Sequence, residues 1–406
     1  MPLWAMALGS TLLMQAVASF LTQSLPVLAP LITASAGLAP EAVGNLSALV
    51  AAGTVIFLLL GGPLLTRWGP VMTLQAGAAT AALGMLVLGT ASVPGLVAAS
   101  LLLGLGYGPS PPAGSRILAA TAPPGHRMLI FSIKQAGAPL GGALAGLVTA
   151  PVAFAFGWMT GVFLTVMVAL LAALVIQPAK KGLDAERDPR QPVGLGVILR
   201  RETWMAPVAA LRLHPALPPL TLLAMSFATV QGCLFAFTVT WLHVSHGLTV
   251  VQAGAAFASM QVAGVVARIV LGWLADRTGQ PVRNLLLQAG AAACCTLAFA
   301  WMPDTASLTL INLLAAAVGF LAASWNGIYL AEVARLVPPA QVAAATAGST
   351  LFTFLGYLVA PALFTLVVAL SGSWVLPLTM VAAQLAFVAL LVSVSLRHRL
   401  TRNLAT

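Results

Sequence analysis

The sequence predicts an all-α polytopic membrane protein, with twelve transmembrane helices in two pseudo-symmetric bundles of six. Three observations predict it. Of the 406 residues, 60% are hydrophobic and only 6% charged, with a mean hydropathy of +1.02. A soluble domain carries about 25% charged residues, so this chain has too few to coat a folded surface in water, and a water-soluble enzyme is excluded. The second observation is a series of twelve apolar runs, each near the ~20 residues that a helix needs to cross a bilayer. The third is the placement of the loop Lys and Arg, which occupy alternate loops and are missing from the others.

Glycine, proline and charge clusters divide the chain into spans near 3–32, 42–63, 70–91, 95–119, 128–150 and 153–177, then near 217–242, 250–275, 284–302, 306–333, 341–370 and 374–396. The first run has no basic flank and carries Gln15, Ser19 and Gln23, unlike the plain apolar centre of a cleavable signal peptide, so it is expected to be retained as a span. The second ends in Gly62-Pro-Leu-Leu-Thr66-Arg67-Trp-Gly69. Gly104, Gly106, Gly108, Pro109, Pro111 and Pro112 make the fourth irregular, a pattern tolerated where backbone faces a cavity or packs closely. Ala122-Pro123-Pro124 introduces the fifth, and Val337-Pro338-Pro339 introduces the eleventh in the same way. Between the halves, Lys180, Lys181, Asp184, Glu186, Arg187, Asp188 and Arg190 alternate with Pro178, Pro189 and Pro192 as a solvated linker. The following stretch, 193–213, is apolar with Arg200, Arg201 and Arg212 and is expected to lie partly as a helix along the membrane surface. The eighth span ends in Gly272-Trp-Leu-Ala-Asp276-Arg277-Thr-Gly279, which repeats the Gly, Arg and Gly of the second at an offset of 210 (272 − 62). The expected organisation is therefore a first bundle over 1–177, a linker over 178–216, a second bundle over 217–396 and a basic tail over 397–406.

The 18 Lys and Arg against 8 Asp and Glu leave a net charge of +10, which in a soluble chain would suggest nucleic acid as a partner. Here the excess marks topology. Arg67, Arg127, Arg277, Arg283, Arg335, the linker cations, and Arg397, Arg399 and Arg402 lie on one side, while the loops around Glu41, Ser92, Ala150, His246, Asp304 and Gly372 hold no Lys or Arg. Cytoplasmic loops retain positive charge, so both termini and the linker are expected in the cytoplasm, with the spans in the cell membrane. Contact with anionic lipid head groups adds about 1 kcal/mol per charge. No nucleic-acid partner is expected, and the chain reads as a monomer. Cys233, Cys294 and Cys295 sit inside apolar runs and form neither a disulfide framework nor a metal site. His126, His243 and His246 lie at helix ends, with no metal-ligand spacing and no nucleophile beside them, so no cofactor and no enzymatic chemistry are expected.

The repeated loop motif carries a resemblance. Gly272, Asp276, Arg277, Gly279 and Arg283 match the cytoplasmic signature of the major facilitator superfamily, and Gly137-Ala-Pro139-Leu-Gly141-Gly142 is similar to its fifth-span Gly-Pro-Gly-Gly pattern. The chain resembles that family over essentially its whole length. It departs from the pattern where Thr66 replaces the first-half Asp, where Thr73 replaces the final basic residue, and where no Arg leads the fourth-span glycines. The resemblance implies a secondary transporter working by alternating access around a central cavity lined by the first, fourth, seventh and tenth spans. It also implies that the eighth span neighbours the fifth, and the second the eleventh. Asp276 is then expected near the start of the fifth span, around Met128 to Phe131, against the positive end of that helix in the outward-facing state. Gly272, Asp276, Arg277, Gly279, Arg67, Glu332 and Arg116 are the candidate gating and coupling residues.

An ionisable group inside a span is a functional-site candidate, because its desolvation must be offset by a partner or by water. Arg268 lies eight residues before Asp276, about 12 Å into its helix, and Lys134 lies seven after Arg127, about 10 Å in. On neighbouring helices the two cations would face one cavity, and like charges in a poorly solvated space call for an anion. That anion is either the substrate, for which the planar fork of Arg is suited, or Glu332. Competing assignments are snorkelling of Lys134 to the interface, and pairing of Arg268 with Glu332 or a helix-end carbonyl. Gln261, two turns before Arg268, shares its face. Polar residues at helical spacing complete the candidate substrate site: Gln15 and Ser19 on the first span, Tyr107 on the fourth, Trp325, Asn326 and Tyr329 on the tenth, and Tyr357 on the eleventh. The sequence thus points to transport of a small organic anion, a carboxylate, by proton symport or anion exchange. The alternative is proton-coupled export of drugs or other hydrophobic compounds, against which stands the absence of an embedded carboxylate from the first and fourth spans.

Overall fold

Hydropathy and helix length together set the architecture. The computed structural model describes residues 2–123, 127–194, 196, 205, 208–338 and 341–403. His126, Pro124, Pro339, Arg200, Arg201 and most of the amphipathic stretch fall outside them, as do the side chains of Met128 and Leu129. Among the described residues there are 12 helices long and apolar enough to cross a membrane, six before the linker and six after it. They include Leu3–Ser35, Val93–Thr121, Ile133–Phe156, Leu217–His246, Val250–Thr278 and Leu308–Arg335, and no strand intervenes.

Helix ends follow local chemistry. Ser92, Thr249 and Ser307 sit at the N-caps of the fourth, eighth and tenth spans and accept from Gly95, Gln252 and Leu310 amides, Thr249 completing a capping box with Gln252. Gly247, Gly279 and Gly372 close the seventh, eighth and eleventh in the left-handed conformation. The turn between the fifth and sixth spans lies at Gly157 (φ 85°), seven residues beyond the expected Ala150. A π-helical turn at Ala145–Thr149 carries the helix past Pro151, which sits in the first turn of Ala150–Phe156, where its missing N–H costs nothing. The last helix continues from Val375 to Asn403, so the basic tail extends the twelfth span.

Several spans are broken among the described residues, the second span between Val43–Leu60 and Gly62–Trp68. The fourth divides into Val93–Tyr107 and Ser110–Thr121, the fifth into Arg127–Gln135 and Gly137–Leu144, and the tenth into Leu308–Ala322 and Asn326–Arg335. The two halves meet mainly where the second span packs on the eleventh, the fifth on the eighth and the first on the seventh. At the end opposite the linker, Gly44 lies against Phe237 and Thr365, whose hydroxyl donates to the Glu41 carbonyl at 2.8 Å. At the linker end, Ser110–Thr121 packs on the first, third and fifth spans of its own half, and Asn326–Arg335 packs within the second half. Glu41 and Thr365 thus join the halves at the end opposite the linker, whereas these two linker-end segments pack mainly within their own halves.

The start of the linker is clasped to the first half. Asp184 receives the Val71 and Met72 amides at 2.7 and 3.0 Å, on its two carboxylate oxygens, and so caps the third span at its positive end. Burial pushes this carboxyl up, while the two amides, Lys180 and Arg187 favour its charged form. Gly69, at φ 90°, makes room: a Cβ there would come within 2.5 Å of the Asp184 carboxyl carbon. The Asp188 amide donates to the Thr66 carbonyl at 2.9 Å. Asp184→Ala is expected to cost about 1 kcal/mol of stability, and Asp184→Asn less, measured by thermal unfolding in detergent. Equal melting of both variants and the parent would show that the cap contributes nothing.

Candidate functional site

The breaks in the fifth and tenth spans converge on Arg268. A helical carbonyl normally accepts the amide four residues on, and for Gln135 that residue is Pro139, which has none. The exposed end of Arg127–Gln135 is taken instead by Arg268, whose Nη1 donates to the Gln135 carbonyl at 2.6 Å. Its Nη2 donates to the Ala323 carbonyl at 3.3 Å, at the break in the tenth span. One guanidinium thus caps the negative ends of two helices, one from each half. The expected alternative of a helix-end carbonyl is what Arg268 adopts, yet both partners are neutral, and its Nε, buried, has none among the described residues.

Lys134 is 2% exposed and does not snorkel. Its stem lies against Gly114 of the fourth span, where a Cβ would come within 2.6 Å of Cε, and Nζ reaches the Gln135 side-chain oxygen at 3.4 Å. Gln135 therefore links the two cations, one through its backbone and one through its amide. Sequence reasoning missed it. The signal was the proline four residues on, which marks a carbonyl without a helical partner.

Glu332 is not the counter-ion of either cation. It forms a two-bonded pair with Arg335 on its own helix, at 2.7 and 2.6 Å, with Arg335 67% exposed at the linker end. It is the only ion pair among the described residues.

In the first half Gln15 donates to the Tyr107 hydroxyl at 3.2 Å and accepts from Ser110 at 2.8 Å, while Ser19 donates to the Ala138 carbonyl at 2.6 Å. These bonds join the first span to the fourth and fifth. Tyr107 and Tyr357, from opposite halves, are half-buried and within electrostatic range of Arg268. Gln261 is 1% exposed, and neither end of its amide has a partner among the described residues; the Asn326 side-chain oxygen is likewise unpartnered. Trp325 and Tyr329 turn inward within the second half: Trp325 donates to Gln231 at 3.0 Å and stacks on Phe227, and Tyr329 bonds Thr221 at 3.0 Å. Spacing along Asn326–Arg335 places these side chains on one helix but does not fix which way that face points.

The gating candidates are spread over the linker end. Arg116 donates to the Leu65 and Glu186 carbonyls at 3.3 and 3.4 Å and ties the fourth span to the clasp. Arg67 and Asp276 are exposed, and the Asp276 carboxylate makes no hydrogen bond or ion pair among the described residues. Arg277 stacks over the Trp273 ring at 5.3 Å, and Gly279 (φ 62°) closes the helix; Gly272 has open space around it.

Comparison with known proteins places this arrangement. A family model described as Major Facilitator Superfamily matches residues 11–361. An uncharacterised MFS-type transporter of Mycobacterium tuberculosis is 28% identical over 73% of this chain, which spans 64% of that protein's length. A probable sulfoacetate transporter of Cupriavidus necator is 26% identical over 98% of this chain and 94% of its own, and a hexuronate transporter of Bacillus subtilis is 27% identical over 47% and 49%. Among solved structures, a bacterial homologue of the human lysosomal transporter Spinster, in an inward-facing and unoccupied conformation, superposes with a TM-score of 0.75 at 15% identity, covering 98% of this chain and 97% of that one. A peptide transporter in complex with sulfate superposes with 0.75 at 17%, over 97% and 95%. The family and these relatives are transporters rather than enzymes, and this chain, a multi-pass membrane protein of twelve helices, belongs to the major facilitator superfamily of secondary transporters.

Proposed function

We propose that the chain moves a small organic anion, a mono- or dicarboxylate, by alternating access, with Arg268 as its principal contact and Lys134 supplying a second positive charge. One observation carries this reading: two cations lie deep in the spans, joined through Gln135, with no carboxylate paired to either among the described residues. Carbonyl dipoles offset part of the cost of burying a guanidinium, whereas an anion would offset it by direct charge attraction. Relatives named for sulfoacetate, hexuronate and 4-hydroxybenzoate support the same class. Tyr107, Tyr357, Gln15, Gln261 and Asn326 supply the polar lining, and Trp325 and Tyr329 stiffen the second half behind it. On the charge distribution the linker and both termini face the cytoplasm. In the outward-open state Asp276 would move against the start of the fifth span, and Thr66 leaves the first half without the matching carboxylate.

Uptake into proteoliposomes across a panel of carboxylates, inorganic anions and cationic dyes tests the reading. Arg268→Gln is expected to lower carboxylate uptake about thirtyfold or more, the loss of a charge-assisted contact, and Lys134→Gln about tenfold. Anion uptake that survives both substitutions sinks the site; dye transport without anion transport favours export of hydrophobic compounds. Uptake driven by an imposed pH gradient identifies proton symport, and uptake requiring internal anion identifies exchange. Glu332→Gln is expected to leave anion uptake within about twofold while lowering stability by about 1 kcal/mol, because its partner is a structural arginine. Asp276→Asn is expected to shift the balance toward the inward-open state by about twofold to fivefold, read from distances between spin labels at the linker end.

A further inference from the structure

The geometry points to Pro139 as a positioning residue for the anion seat: by withholding an amide from Gln135, it supplies the carbonyl that orients Arg268 with its Nε edge free for a carboxylate. The inference rests on the reading of Arg268 as an anion contact. Three observations carry it. The Gln135 carbonyl accepts no backbone amide, since the residue four places on is proline and the neighbouring Ala136 and Leu140 amides go to Ile133 and Ala136. Arg268 takes this carbonyl with Nη1 at 2.6 Å, much its shorter bond, while Nη2 holds Ala323 at 3.3 Å. Nε is buried without a partner among the described residues.

These bonds define which edge of the guanidinium is available. Arg presents five N–H donors in a rigid plane, and a carboxylate binds two parallel donors at once. Nη1 is committed to the first half through Gln135. Nε and the adjoining Nη2 remain, the one unpaired and the other held by a long bond to a neutral oxygen. A carboxylate on that edge would displace only the Ala323 carbonyl, exchanging a neutral acceptor for a charged one, and would leave the Gln135 anchor intact. With an amide restored at position 139, the Gln135 carbonyl would close its own helical bond. Arg268 would then lose the anchor that fixes its plane, and more rotamer freedom would have to be frozen when the anion binds.

Modification of Arg268 by phenylglyoxal, followed by mass spectrometry on the purified full-length protein, reads the anchor without any substrate. Protection by succinate or benzoate reads the seat. Pro139→Ala is expected to raise the unprotected labelling rate of Arg268 about fivefold, and the concentration for half-protection about tenfold. An unchanged labelling rate overturns the anchor, and faster labelling with unchanged protection overturns its role in the seat. Pro139→Ser, which restores the same amide with a different side chain, should reproduce both changes; if only one of the two variants alters labelling, the amide is not the cause. In the Arg268→Lys background, where no planar fork remains, Pro139→Ala should change succinate uptake less than twofold; a full-sized effect there assigns Pro139 to the bend of the helix instead. Failure of both probes to protect the unsubstituted protein counts against the carboxylate reading, whereas the labelling rate still decides the anchor.

Discussion

A positive charge held inside a membrane-spanning helix without a carboxylate partner is the constraint on which the rest of this structure depends. Arg268 occupies such a position only because helices are interrupted around it. Each break in the fifth and tenth spans leaves a carbonyl that no amide claims, and each carries the partial negative charge of a helix end. An unbroken bundle would have offered the guanidinium nothing but hydrocarbon and satisfied backbone. Proline at position 139 and the interruption at Ala323 are therefore conditions for the charge, and the charge in turn explains why the interruptions are tolerated at membrane depth.

The two halves treat their charges differently. In the second, Glu332 is consumed by Arg335, and Asp276 stands exposed with Arg277 turned onto Trp273. In the first, the loop after the second span holds no carboxylate, and the linker supplies one by folding Asp184 onto the third span. Arg116 joins the same clasp from the fourth span. The pseudo-symmetry visible as a 210-residue offset is thus a symmetry of helices and glycines, and the polar contacts at the linker end do not obey it.

Spans, their number and the central linker were legible because hydrocarbon solvation acts on each segment separately. Most expected boundaries fall within a few residues of the helix ends; the end of the fifth span and the start of the sixth shift because a π-helical turn lets the helix continue past Pro151, and the twelfth helix runs on to Asn403. Arg268 was legible as a costly charge. Its partners were not, since a carbonyl becomes an acceptor only when the amide four places on is missing and the chain then brings the arginine to it. Trp325 and Tyr329 illustrate a second limit. Their spacing suggested one cavity-facing stripe with Asn326, but spacing within a helix does not say which neighbour the stripe meets, and their hydrogen bonds run to Gln231 and Thr221 in the same half. Hydropathy alone could not assign Asp184 a role either; in sequence it is one charge among seven in a linker.

The clasp at Asp184 changes where the first half ends. Hydropathy places that boundary at the last apolar residue of the sixth span, but hydrogen bonds place it at Asp188, whose amide still belongs to the loop after the second span. Residues 184–188 are in this sense a seventh element of the first bundle, built from solvent-side chain rather than from a span. Any movement of the first half relative to the second would carry this stretch with the first half, because its hydrogen bonds run to the second, third and fourth spans of that half.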